Sequence, residues 1–415
     1  MTQNILSGAA GVSSDITRRG FVAGTAALGA AAVLQPHLVA GAEANAKVTV
    51  GLVGCGGRGR WIANLFNQNG GYQFVATADY FADRANAAGK DLKVPEGKCF
   101  SGLSGYKRLL DAKPDAIVVE SPPFFHPEQV LAGVEAGCHV FCAKPIAVDV
   151  AGCLTVAEAG RKGTEKKRCV LIDFQTRATD FFIEAIQRVH AGAIGRLAFG
   201  EATYHADIPW MGQISAAKDT KNPESRLHAW GLDRVLSGDI IVEQNIHTLD
   251  VASWIMNQAP LSAYGMGGQK VRDFGTCWDT FSVVYQYPNH VAIDFSSRQF
   301  NGHGTSPEGI RNRVFGTDGV LETEYGGQVL VRGKNFYRGG RTPGIYQEGA
   351  VKNIATFLAA IRAGDFSNPT VEASVRSNLV AVLGRMAAYK KAEVTWDEMM
   401  KSTEKLEFPT TGLKG

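Results

Sequence analysis

Three groups of residues in this chain have types and spacings suited to chemistry. The first is Glu243-x-x-x-His247-x-x-Asp250, within the apolar stretch 237–254. Read as a single helix, this stretch places carboxylate, imidazole and carboxylate at i, i+4 and i+7, on one face. A solvated face with a Glu–His pair would show the same spacing, so both readings stand at this point. An imidazole that titrates near neutrality suits proton transfer. The second group is Lys144-Pro145, closing the strand-like run 139–142. A lysine at the carboxyl end of a central strand points into the crevice beyond the sheet. The third is Gly54-Cys55-Gly56-Gly57-Arg58-Gly59, a G-x-G-x-x-G. Gly54 permits a tight turn, Gly56 lets backbone approach a pyrophosphate, and Gly59 lets a strand and helix pack closely. The N-terminus of the helix that follows offers free N–H groups and a positive dipole end to the phosphates.

These groups need elements to hold them. Val48, Val50, Leu52 and Val53 form an apolar β-branched run that suits a buried parallel strand. A helix is expected over 60–68. A second strand, 72–78, ends at Asp79, 20 residues past Gly59. A carboxylate at that point accepts hydrogen bonds from both ribose hydroxyls of an adenosine and repels a 2′-phosphate. NAD is therefore favoured over NADP, with Arg84 as the residue that could accommodate the phosphate. Strand 115–119 leads into Ser121-Pro122-Pro123, a rigid loop on the same edge. His126 opens the next helix, either as a terminal residue without a ligand or on the cofactor side. Further β and α segments alternate up to strand 169–174. Such alternation specifies an α/β fold with a doubly wound parallel sheet.

The Gly54–Gly59 fingerprint, Asp79, Ser121-Pro122-x-x-x-His126, the run HVFCAKP at 139–145 and Phe174-Gln-Thr-Arg177 together resemble the Gfo/Idh/MocA oxidoreductases. The resemblance runs from Lys47 to about Leu406. It implies a Rossmann domain at 47–176 and an α+β substrate and oligomerisation domain at 177–347. That second domain would carry an open, mostly antiparallel sheet, with C-terminal helices at 348–415 packing back on the first domain. It implies bound NAD and a small carbohydrate or cyclitol substrate. The cofactor would contact Gly54, Gly56, Gly57, Arg58, Gly59, Asp79, Ser121, His126 and Lys144. Arg177 and Asp250 fall on the substrate side. His247 matches the catalytic histidine, and Glu243 stands where the family has aspartate. Ala143 replaces the glutamate of the family's E-K-P. The implied chemistry places a hydroxyl between Lys144 and His247. His247 takes its proton as hydride leaves for nicotinamide, and Lys144 stabilises the alkoxide.

The rest of the chain bounds these readings. Its 415 residues suit two or three domains, and a net charge of +3 gives no reason to invoke nucleic acid. Seven cysteines include no C-x-x-C, and no metal site is expected. Thr17-Arg18-Arg19-Gly20-Phe21-Val22 precedes an Ala/Gly-rich apolar core, a twin-arginine pattern over 1–46. It implies export of a folded enzyme through the twin-arginine machinery to the periplasm, with its NAD held tightly. Residues 208–233 read as a long loop over the site. The far face of the open sheet would be apolar enough to form a homodimer or homotetramer. An NAD-dependent glycoside hydrolase or lyase is the second reading, and a non-catalytic dinucleotide sensor the third. Lys144 and the Glu243/His247 pair favour the oxidoreductase.

Overall fold

The computed structural model describes residues 47–306 and 308–415. The twin-arginine segment, 1–46, lies outside them. Six parallel strands form the first sheet: β1 (Val48–Val53), β2 (Tyr72–Asp79), β3 (Cys99–Ser101), β4 (Ala116–Val119), β5 (His139–Ala143) and β6 (Val170–Asp173). Their order is β3-β2-β1-β4-β5-β6. The chain reverses direction across the sheet between β1 and β4, and that is where such sheets bind ligands.

Period-2 alternation explains the burial on both faces. Val50, Leu52, Ala116, Val118, Phe141 and Leu171 enter one core. The residues between them, Val53, Ile117, Val119, Val140, Cys142, Val170 and Ile172, enter the other. Strands that are apolar on both sides must be covered on both sides. Helix α1 (Gly57–Asn69) supplies Ile62, Leu65 and Phe66 to the first core. It begins three residues earlier than the sequence pattern suggests, inside the glycine run itself. The C-terminal helix Ile345–Ala363 completes that core with Ile354, Phe357 and Leu358.

The second sheet has nine strands: β7 (Leu197–Ala206), β8 (Ser262–Gly268), β9 (Thr280–Tyr287), β10 (Val291–Gln299), β11 (Gly309–Gly316), β12 (Gly319–Glu324), β13 (Gln328–Gly333), β14 (Tyr337–Arg341) and β15 (Val394–Thr395). All neighbouring pairs run antiparallel except β7 with β10. Its outer face leaves Phe199, Tyr264, Met266 and Val284 exposed. Beside them runs a charged ladder that includes Arg313–Glu201 and Arg332–Glu322.

The C-terminal stretch serves both domains rather than the first alone. Residues 394–395 extend the second sheet, and Phe408 returns to Phe124 of the first domain. Helix Pro369–Lys390 is buried between the two and fastens them with polar side chains. Asn378 accepts from Ile146 N–H (3.1 Å) and donates to Ala147 O (3.1 Å). Arg385 donates to Val148 O (2.6 Å) and to Gly238 O (3.0 Å). The first three carbonyls and amides follow Lys144-Pro145; Gly238 precedes Glu243. One helix thus sets the spacing between the stretch that carries Lys144 and the stretch that carries Glu243.

Residues 237–254 do not form one helix. A short helix, Arg234–Ser237, ends at Gly238 in the left-handed region, and Asp239 follows with φ 75°. Then come Ile240–Glu243, a turn at Gln244-Asn245, and Ile246–Met256. Asp239 tolerates its unusual backbone because its buried carboxylate is fully used. It accepts from Ile240 N–H (2.7 Å), Trp278 N–H (3.1 Å) and the Tyr389 hydroxyl (2.6 Å). The expected loop 208–233 likewise contains short helices, Ile214–Ala217 and Pro223–His228 among them.

Candidate active site

The glycine turn builds a cradle by leaving no room on one side and open room on the other. Gly54 has φ 90°, and a Cβ there would sit 2.4 Å from Ser121 N. A Cβ on Gly59 would lie 1.9 Å from Gly54 O. These contacts lock β1, α1 and the loop after β4 together. Cβ atoms on Gly56 and Gly57 would meet nothing within 4 Å. Gly56 caps α1 without any side-chain hydrogen bond, so the first helical N–H groups are left for a ligand.

A cleft begins there, lined by Gly54, Gly56, Asp79, Glu120 and Ser121. Asp79 is fixed by Cys55 N–H (2.7 Å) and Phe81 N–H (2.9 Å), and burial raises its carboxyl above the usual range. Arg84 lies over the Phe81 ring, with Nη2 3.1 Å from His228 Nδ1. From the second domain, Leu227 and Trp230 close the cleft. The stretch read as a loop over the site therefore covers the adenosine end of the cradle. Turn, uncapped helix and carboxylate fit a dinucleotide.

Just after β5, Lys144 Nζ donates to Glu243 O (2.7 Å) and to Glu243 Oε1 (3.0 Å), and both side chains are only 9% exposed. His247 is buried one turn further on, in the next helix. Its Nδ1 has no hydrogen-bond partner, and its ring lies 5.2 Å from that of Tyr325. Burial, together with the positive charges of Lys144 and Arg58, holds the imidazole pKa well below 6.5. A neutral imidazole thus stands near a fixed ammonium. The solvated-face reading of Glu243, His247 and Asp250 is wrong, because all three are buried.

Several expected residues have other work. Arg58 does not reach into the cleft. Its guanidinium pairs with Asp173, lies 2.9 Å from Glu120 Oε2, and donates to the Tyr346 hydroxyl (2.8 Å). Arg177 and Asp250 are spent on each other, with Nε 2.9 Å from Oδ1 and Nη2 2.8 Å from it. The pair also touches Ser377 and Trp254, so it ties helices together. His126 lies between two loops. Its Nδ1 is 2.7 Å from Pro145 O and its Nε2 2.6 Å from Ser121 O. Burial lowers its pKa to about 4. It positions the Lys144 loop against the loop after β4 and lines no part of the cleft. Ser121 does line it, with Oγ held by Gln129 (2.6 Å).

Comparison with known proteins agrees with this geometry. The model of the oxidoreductase family with an NAD-binding Rossmann fold, GFO/IDH/MocA, matches residues 48–171, and that of the family's C-terminal domain matches 182–322. Together they cover well over half of the chain. The chain belongs to the Gfo/Idh/MocA family. It is similar to inositol 2-dehydrogenase 2 of Saccharopolyspora erythraea, 27% identical over 63% of this chain and 70% of that protein. It is also similar to myo-inositol 2-dehydrogenase of Thermotoga maritima, 24% identical over 85% and 99% of the two chains. Levoglucosan dehydrogenase, solved with NADH and levoglucosan, shares the fold with a TM-score of 0.66 at 18% identity. That match covers 84% of this chain and 99% of that one.

Within this Gfo/Idh/MocA site, sequence reasoning missed Tyr325 and Glu120. Tyr325 follows β12 in a turn, with its hydroxyl buried and unpartnered beside His247. No local motif marks it. Among the described residues, no group of three or more His, Cys, Asp or Glu is arranged to hold a metal ion.

The depressed His247 pKa has a definite linkage sign. An imidazole harder to protonate in the fold than in the unfolded chain costs stability as pH falls below the unfolded value of about 6.5. The unfolding free energy of the wild type minus that of His247→Gln should therefore decline on acidification from there, by up to about 1.4 kcal/mol per pH unit. Denaturant titrations of both proteins across that window check this; a difference that does not vary with pH contradicts a buried neutral ring.

Proposed function

We propose that this enzyme oxidises a secondary hydroxyl of a sugar, cyclitol or glycoside at the expense of bound NAD. One observation carries the reading: the Lys144 ammonium is fixed on Glu243 while the nearby His247 is buried, neutral and short of a partner at Nδ1. When bound, NAD supplies the hydride acceptor, with its pyrophosphate at the start of α1 and its adenosine ribose at Asp79. Lys144 faces the reacting oxygen and stabilises the alkoxide that forms as its proton leaves. His247 receives that proton. Glu243 holds Lys144 in place and balances its charge. The Gfo/Idh/MocA relatives named as inositol 2-dehydrogenases support the substrate class.

Two further features belong to the same proposal. The cofactor is retained between turnovers, supported by the second-domain residues Leu227 and Trp230 over the cleft. The enzyme is exported by the twin-arginine pattern and self-associates through the outer face of the second sheet, supported by exposed Phe199, Tyr264, Met266 and Val284. Purified mature protein that sediments as a monomer, or that carries no NAD, counts against these features.

His247→Ala should lower kcat by about 10²- to 10⁴-fold while bound NAD remains at wild-type occupancy, and Lys144→Ala should lower kcat by a comparable factor, with its NAD content measured alongside. Removing Lys144 leaves Glu243 buried and unpaired, which costs roughly 3–5 kcal/mol, so thermal unfolding is recorded in parallel. Near-wild-type turnover in either folded variant would end the assignment.

A further inference from the structure

The ends of β4, β5 and β6 carry a charge cluster that the mechanism above does not use. Val119 pairs with Cys142, which makes Glu120 and Ala143 neighbours, and Ala143 pairs with Asp173. Glu120 and Asp173 thus flank Ala143 on adjacent strands, and Arg58 contacts both carboxylates. The two carboxylates differ in one respect. Asp173 is saturated: besides Arg58 it accepts from Gln175 Nε2 (2.8 Å) and Asn353 Nδ2 (2.8 Å). Glu120 is not. Its side chain is 0% exposed, its Oε2 meets Arg58 without hydrogen-bond alignment, and its Oε1 has no partner.

A buried carboxylate oxygen without a donor costs the desolvation of that group. Glu120 lines the same cleft as Gly54, Gly56 and Asp79. Asp79 ends β2, on one side of the glycine turn; Glu120 follows β4, on the other. A dinucleotide that puts one ribose at Asp79 and its pyrophosphate on the start of α1 must carry its second ribose toward Glu120 and Lys144. Hydroxyl groups are the donors such a ribose brings. We infer that Glu120 is a cofactor-binding residue whose carboxylate accepts a hydrogen bond from the second, nicotinamide-side ribose, with Arg58 as the residue that positions it. Burial beside Asp173 pushes the Glu120 carboxyl up to about 7 before any ligand arrives, despite Arg58, which agrees with a group in need of a donor. The inference rests on the dinucleotide reading of the cleft and is independent of which alcohol is oxidised.

Displacement of NADH fluorescence from the full chain by ADP, ADP-ribose and NAD⁺ tests it. ADP ends before the second ribose, whereas ADP-ribose includes it. Glu120→Ala should leave ADP affinity within about twofold of wild type and weaken ADP-ribose and NAD⁺ by about tenfold or more. If Glu120→Ala does not fold, Glu120→Gln, which keeps the volume, should show the same discrimination with a smaller factor of about threefold. Equal weakening of all three ligands would mean that Glu120 only supports the Gly54 turn, and it overturns the inference. Unchanged ADP-ribose affinity overturns it as well. Failure of turnover on every sugar, with this discrimination intact, would instead count against the proposed reaction alone.

Discussion

The hydrogen bonds from Lys144 Nζ to the carbonyl and carboxylate of Glu243 join the loop after β5 to the second domain at the proposed site. Burying a charged pair costs several kcal/mol per ion, and attraction offsets this only with good geometry and further hydrogen bonds. Here the geometry is supplied from both sides. Glu243 closes the four-residue helix Ile240–Glu243, so its carbonyl has no helical partner and is free to accept from Lys144. Lys144 immediately follows β5 and begins the loop that Asn378 and Arg385 bind through backbone groups of Ile146, Ala147 and Val148. Arg385 also holds Gly238, just before the Glu243 helix. The spacing between ammonium and carboxylate is thus set by a third element packed against both.

That constraint governs the protonation of the site. With Lys144 and Arg58 both cationic and close, a buried His247 gains little from a proton and loses hydration by taking one. It rests neutral, the form a general base requires. The carboxylates Glu243, Glu120 and Asp173 balance the two cations. Ala143 lies between Glu120 and Asp173 on adjacent strand ends, the two carboxylates that Arg58 contacts. Ala143 therefore sits where acidic charge is supplied from both neighbouring strands.

Local signals were legible in the sequence, and contacts across the fold were not. The glycine turn, Asp79 and the alternating apolar strands report backbone needs and burial within a few residues of themselves. The parallel character of the first sheet follows from them, and its strand order appears only in the fold. The stretch around Glu243 read as one helix because its apolar spacing is continuous. One break comes from Gly238 and from Asp239, whose carboxylate is satisfied by Trp278 and Tyr389, far away in sequence, and a second, the turn at Gln244-Asn245, separates Glu243 from His247. Arg58 sits in the fingerprint, yet the carboxylates that claim its side chain lie on β6 and in the loop after β4. Arg177 and Asp250 are far apart in sequence, and only the fold makes them partners. Tyr325 and Glu120 belong to no motif at all.

The most direct test of the account is the fate of the hydrogen on the reacting carbon. A sugar or cyclitol substrate deuterated at its carbinol carbon is mixed with NAD-loaded enzyme for a single turnover. The cofactor and products are then separated and weighed by mass spectrometry. The account predicts that deuterium appears in the nicotinamide, with one equivalent of ketone formed per site and no glycosidic bond broken. Deuterium lost to solvent, or returned to a cleaved product with the nicotinamide unlabelled and no ketone accumulated, would contradict it.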